Sequence, residues 1–250
     1  DEVIPFNKRW GYPWDAPDTL RTAGELRRRR FDLALLFQNA FEAAFLAYLG
    51  GVPLRVGYNT QGRSLLLSHA VIRNGMITRV HQVEYYLALL RAMGWAAESR
   101  DPALYVAEAD REWARSLLLS HGVGEGDDLV GLGPGAIYGP AKRWPVDRFA
   151  AIGDWIADRW GARVLVIGSK GEQEVCGAVV RHMARPALDL CGRSTLGQAM
   201  ALIERCGFFV SNDSGLMHVA AALGVPLVAV FGSTDPVATG PRSPRARVVR

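Results

Sequence analysis

Three stretches of the 250-residue sequence combine glycine, small polar side chains and a titratable group in a pattern suited to an anionic ligand. In Ser211-Asn212-Asp213-Ser214-Gly215-Leu216-Met217-His218 an apolar run breaks into small polar residues and a helical pattern begins at once. A helix starting there presents unpaired backbone N–H groups and the positive end of its dipole, a seat for a phosphate or diphosphate. Asp213 could equally cap its own helix, and His218, on the first turns, could be a core or capping histidine. In Gly133-Pro134-Gly135-Ala136 followed by Gly139-Pro140-Ala141-Lys142-Arg143-Trp144-Pro145, glycines let backbone approach a ligand and Lys142 supplies a compact positive charge. Lysine occurs only at positions 8, 142 and 170, so one inside a glycine-rich loop is notable. The third stretch, Gly168-Ser169-Lys170-Gly171-Glu172, ends on an acid that could bind a ribose hydroxyl or serve in the first turn of a helix. Ser194 and Thr195, in Cys191-Gly192-Arg193-Ser194-Thr195, read as helix caps or as contacts. Neither the phosphate-binding P-loop pattern nor GxGxxG after a strand occurs, which disfavours an NAD-linked protein.

Such loops act together only if strands deliver them to one edge. The second half alternates strands at 129–132, 163–167, 188–190, 208–210 and 226–231 with helices opened by Pro145, beginning near Glu172, capped by Thr195 and running over 216–223. The first half reads as a helix from Thr19 to the basic run Arg27-Arg28-Arg29-Arg30, a strand at 32–37, a helix at 40–49 closed by Gly50-Gly51, a strand at 55–58 and a helix at 81–93. The four arginines fit a helix C-terminus, where positive charge complements the dipole. Strands alternating with helices specify an α/β class with parallel, doubly wound sheets, and ligands then bind at the C-terminal strand ends. Residues 99–102 and 122–128 bracket one helix as a linker would, which predicts domains 1–123 and 124–250.

The composition, 49% hydrophobic and 22% charged, describes a soluble globular chain, and a net charge of +4 is too mild and too evenly spread for a nucleic-acid coat. Cys176, Cys191 and Cys206 form no CxxC pair and fit buried apolar positions in a reducing compartment. Residues 214–234 carry no charged side chain and have the length of a membrane span, but Gly224-Val225-Pro226 divides them into helix, turn and strand.

The stretch from Gly133-Pro134-Gly135-Ala136 to Lys142-Arg143-Trp144-Pro145, the Asn212 to His218 motif, and Pro226 with Phe231-Gly232-Ser233-Thr234-Asp235-Pro236 closely resemble the signatures of the ADP-heptose:lipopolysaccharide heptosyltransferases of glycosyltransferase family 9, most like the heptosyltransferase II members. Phe31-Asp32-Leu33-Ala34, residues 50–58 and His81-Gln82-Val83-Glu84 fit the same family more loosely. The resemblance implies a GT-B architecture, two Rossmann-like domains facing across a cleft, the second holding ADP-heptose and the first a Kdo-lipid A acceptor. It places Lys142 at the diphosphate, Asp213, Ser214, Gly215 and His218 at the diphosphate and heptose, Glu172 at the nucleoside and Ser194 at the adenine. Gly135, Ala136, Ser169 and Thr195 join the candidate nucleotide-sugar contacts from the same loops. Acceptor contacts are expected from Gln38, Asn39 and Arg63, and from an aromatic loop with Trp10, Tyr12 and Trp14 that could equally be packing. The implied enzyme is an inverting, metal-independent transferase without cofactor, a monomer peripheral to the cytoplasmic face of the inner membrane. The family's general-base Asp and its C-terminal helical segment have no counterpart here, so the chain is expected to be truncated at both ends. A family member with another donor or acceptor, and a non-catalytic nucleotide-sugar-binding protein, remain alternatives.

Overall fold

The structure, a computed structural model, describes residues 2–6, 16–136 and 139–250; Trp10, Tyr12 and Trp14 lie outside the described residues. The chain divides into two compact units, Asp1–Ser99 and Arg100–Arg250. In the first, α1 (Ala16–Arg29), β1 (Leu33–Leu36), α2 (Phe41–Leu49), β2 (Leu54–Tyr58), β3 (His69–Val71) and α3 (Gln82–Arg91) build a parallel three-stranded sheet of order β1-β2-β3. The basic run does end α1, which stops where Arg30 takes a left-handed φ of 51°. Arg29 pairs with Glu25 at 2.6 Å, and Arg28 also reaches Glu25, so these arginines form an ion-paired helix end. His81 caps α3, its Nδ1 accepting from the Val83 N–H at 3.1 Å. Val56, Tyr58, Tyr85 and Leu89 form the buried centre. Strand β3 has no apolar signature, because two of its three residues are exposed.

The second unit contains α4 (Glu108–Ser120), β4 (Leu129–Gly133), α5 (Val146–Trp160), β5 (Arg163–Val166), α6 (Gln173–His182), β6 (Ala187–Asp189), α7 (Leu196–Glu204), β7 (Phe208–Asn212), α8 (Gly215–Ala222), β8 (Leu227–Val230), α9 (Pro236–Thr239) and β9 (Ala246–Val249). All six strands are parallel, in the order β6-β5-β4-β7-β8-β9. Two cores flank the sheet. Leu118, Leu202, Phe209 and Met217 belong to one, and Phe149, Ile156, Val166 and Val179 to the other. The division of the chain at 123/124 expected from the sequence moves to 99/100, because α4 is part of the second unit. Its Ala114 and Leu118 join the first of these cores, and Arg111 pairs with Glu204 of α7 at 2.7 Å.

Residues 214–234 resolve into α8, a turn at Gly224 with φ 72° and β8, and no helix among the described residues is long and apolar enough to cross a membrane. The three cysteines are free and buried. Burial pushes the Cys206 thiol up to about 12, and contact with Cys191 together with burial raises Cys176, so both are packing residues with inert thiols.

Strand order reverses at β4, whose neighbours are β5 and β7, and the exit loop of β4 is fixed by Asn212 at the end of β7. Asn212 has 0% exposure; its Nδ2 donates to the Pro134 carbonyl at 2.7 Å and its Oδ1 accepts from the Trp144 N–H at 2.9 Å. Both ends of the loop that carries Lys142 are thereby tied to a neighbouring strand. Replacing Asn212 by alanine leaves a buried donor and a buried acceptor unpaired, so Asn212→Ala is expected to lower the unfolding free energy by about 3 kcal/mol. Equilibrium urea unfolding measures the loss, and unchanged stability would show that the amide does not hold the loop.

Candidate functional site

The loops leaving the C-terminal ends of β6, β5, β4 and β7 touch one another in sheet order, and the loop after β8 touches the β4 loop. At the β6 end, the Gly192 N–H donates to the Gly168 carbonyl at 2.9 Å, and Gly192, at φ 69°, packs so closely that a Cβ would lie 2.9 Å from Gln173 Nε2. The next turn is closed by Glu172, whose Oε2 accepts from the Ser169 N–H at 2.8 Å and the Ser169 hydroxyl at 2.7 Å. Glu172 is therefore a capping-box acid, and the cap aims its other oxygen at the β4 loop. A Cβ on Gly135 would fall 2.0 Å from Glu172 Oε1, so only glycine fits at position 135 while that carboxylate keeps its place. Ala136 is buried beside it, and its carbonyl accepts from Arg143 at 3.2 Å.

Lys142 and Asp213 meet at the point where the strand order reverses. The ammonium Nζ donates to Asp213 Oδ2 at 2.7 Å, with the lysine side chain 19% exposed and the aspartate 5%. Asp213 is thus committed to Lys142 and does not cap α8. Ser214 occupies the cap position in extended backbone without a side-chain cap bond, its Oγ instead 3.1 Å from Ser211 Oγ. The first turn of α8, two residues beyond the carboxylate that holds the ammonium, consequently has no side-chain cap among the described residues. Gly215 is exposed there, with nothing within 4 Å of where a Cβ would stand, and His218 is exposed one turn further on. Ser233, after β8, donates to the Ala141 carbonyl at 3.2 Å and backs the lysine loop from the other side.

Six of the candidate residues are linked in this way: Lys142 with Asp213, Gly135 with Glu172 and Ser169, and Ser214 through Ser211. Thr195 is a helix cap, as one of its two readings has it; its hydroxyl accepts from the Gln198 N–H at 3.3 Å, and Ser194 is half-buried in the same turn. In the first unit, Gln38 is exposed after β1, while the Asn39 amide donates to the Tyr85 hydroxyl at 2.8 Å. Arg63 is a correction: it has 0% exposure, and its guanidinium faces backbone carbonyls, so it cannot reach an acceptor directly. Asn212 is the organising residue absent from the sequence-based candidates, because an Asn before an Asp at a strand end looks like any Asx turn.

The family model described as glycosyltransferase family 9 (heptosyltransferase) matches residues 19–250. Lipopolysaccharide heptosyltransferase 2 of Escherichia coli K12 is 34% identical over 236 residues, which cover 90% of this chain and 66% of that protein. Its namesake in Salmonella typhimurium LT2 is 34% identical over 258 residues, covering 100% of this chain and 73% of the relative. The solved structure of E. coli ADP-heptose lps heptosyltransferase II aligns with a TM-score of 0.82 at 30% identity, covering 96% of this chain and 74% of that one. This chain therefore spans about two thirds to three quarters of the length of these relatives. The α/β class read from alternating strands and helices and the GT-B class implied by the motif resemblance both hold, with parallel sheets in both units. A family match over most of the chain, relatives at a third identity and a shared fold make the chain a member of glycosyltransferase family 9, the heptosyltransferases.

Proposed function

We propose that the protein is an inverting, metal-independent glycosyltransferase that moves L-glycero-D-manno-heptose from ADP-heptose to the inner core of lipopolysaccharide, a heptosyl-Kdo2-lipid A. The observation that carries the proposal is the Lys142 ammonium held 2.7 Å from Asp213 beside the uncapped first turn of α8. The names of the relatives, lipopolysaccharide heptosyltransferase 2 and ADP-heptose lps heptosyltransferase II, supply the donor and the acceptor class.

Departure of ADP builds negative charge on the diphosphate while positive charge grows at the anomeric carbon. A fixed cation and a helix dipole stabilise the leaving group without waiting for solvent to reorganise. Asp213 holds the flexible lysine chain in one place before the donor arrives and balances its charge in the empty site. Lys142, Asp213, Ser214, Gly215 and His218 surround the diphosphate and sugar in this assignment, and Gly135, Ala136, Ser169, Glu172, Ser194 and Thr195 surround the nucleoside. The second unit carries the donor and the first the acceptor, with Gln38 at the end of β1 as an acceptor contact. The enzyme works as a monomer at the cytoplasmic face of the inner membrane.

Lys142→Ala is expected to reduce turnover about 100- to 1,000-fold, by analogy with the loss of one preorganised oxyanion donor. It also strands a buried carboxylate, so stability falls with it, and the double variant Lys142→Ala/Asp213→Asn separates the two effects by restoring stability but not turnover. Wild-type turnover in a folded Lys142→Ala protein would overturn the assignment. Calorimetry with ADP and ADP-heptose beside a transfer assay in EDTA, both on the full-length protein, is expected to show binding of both ligands and an undiminished rate. Binding without product would identify a nucleotide-sugar-binding protein, and a rate abolished by EDTA and restored by a divalent cation would refute the metal-independent mechanism.

A further inference from the structure

We infer that Arg63 is a positioning residue, a buried guanidinium that sets the backbone of the loop leaving β1 and thereby presents Gln38 to the acceptor. The inference rests on the proposal that the acceptor binds at the first unit. Arg63 opens a short 3-10 turn, Arg63–Leu66, after a chain reversal with left-handed φ at Gln61 and Gly62, and it leads the fully buried side chains in size. Its Nε donates to the Tyr58 carbonyl at 2.8 Å, at the end of β2. Its Nη1 donates to the Gln38 carbonyl and, at 3.2 Å, to the Ala40 carbonyl, and its Nη2 reaches Asn39 Oδ1 at 3.4 Å. One side chain thus grips three consecutive residues of the β1 loop and ties them to the neighbouring strand. Gly57 makes room for it, since a Cβ there would lie 3.1 Å from Nη2.

No carboxylate stands among the partners of Arg63 in the described residues; its charge is met by carbonyl and amide dipoles. Burial disfavours the charged form and holds its pKa below the ordinary arginine value. A group kept charged at that cost, where an apolar side chain would fill the space, points to what its planar fork alone provides: several donors in fixed directions. The rest of the loop is pinned to match. Thr60 Oγ1 donates to the Asn39 carbonyl at 2.9 Å, the Phe41 N–H donates to Gln61 Oε1 at 3.1 Å, and Asn39 is held by Tyr85. With the carbonyls of residues 38, 39 and 40 all engaged, the exposed Gln38 side chain is what this stretch offers to a ligand.

The test is Arg63→Lys in the full-length protein, where a point charge replaces the fork. The acceptor KM is expected to rise about tenfold while the ADP Kd changes by less than about twofold, because misplaced contacts weaken only the ligand they serve. Amide hydrogen exchange over residues 37–41 is expected to accelerate in the same variant. Acceptor KM and loop exchange both at wild-type values would overturn the inference, as would an ADP Kd that worsens in step with the acceptor KM. If Arg63→Lys does not fold, Thr60→Val loosens the same loop without burying an unmet charge, and an unchanged acceptor KM there is equally decisive against it. A wild-type enzyme that transfers nothing to the acceptor sinks the functional proposal instead; exchange over 37–41 then decides the role of Arg63 alone, and wild-type protection in Arg63→Lys rejects it.

Discussion

Asn212 has no access to water, yet its amide carries donors and an acceptor that must be met inside the protein. It meets them with the two ends of a single loop, the Pro134 carbonyl and the Trp144 N–H. Gly135 follows Pro134, Lys142 lies two residues before Trp144, and Asp213 follows Asn212 itself. Gly135, Lys142 and Asp213 are therefore each within two residues of an atom bonded to this one amide or of the residue that bears it, and α8 opens three residues after it. The position is also where the sheet reverses its order, so the loops of β4 and β7 diverge around the crevice that binds ligands in open α/β sheets. Geometry at the site is a property of the junction between these strands more than of either loop alone.

The two units handle a partly or fully buried cation in opposite ways. Lys142 is matched by a carboxylate at 2.7 Å and retains some exposure, which suits a charge that must face a ligand. Arg63 is fully enclosed and matched by carbonyls, which suits a group whose task is to hold backbone. The difference follows from the chemistry of the two side chains. A compact ammonium on a flexible stem needs one strong partner to be fixed, whereas a planar guanidinium distributes its donors over several weak ones.

Much of this was legible from residue order. Apolar runs bounded by glycine and proline located five of the six strands of the second unit, and Thr195, read as a helix cap or a contact, caps its helix in the structure, where Gln198 completes a capping box. The loop set at the strand ends followed from parallel topology, and the pairing of Lys142 with Asp213 joins two stretches singled out separately. What was not legible depends on contacts between residues far apart in sequence. A lone arginine in a turn looks like surface until the carbonyls around it are seen. Helix α4 is equally plausible as a linker until Ala114 and Leu118 find the core of the second unit. Glu172 offered two roles, and the structure shows both its cap to Ser169 and the approach of Gly135 to its other oxygen.

The bond from Asn212 to Pro134 spans 78 positions of the chain, and Lys142 lies 71 from Asp213. Local pairings such as β4 with β5 can form before β7 has been synthesised, but the two bonds that Asn212 gives the loop carrying Lys142, and the Asp213 partner of the lysine itself, are in place only once β7 docks beside β4. Such non-local closure comes late, since the loop entropy must be lost before the contact repays it. The emerging chain therefore has no complete anion seat while the first three of the six strands of its second sheet are being made, and a nucleotide sugar cannot act as a template for those early steps of its folding.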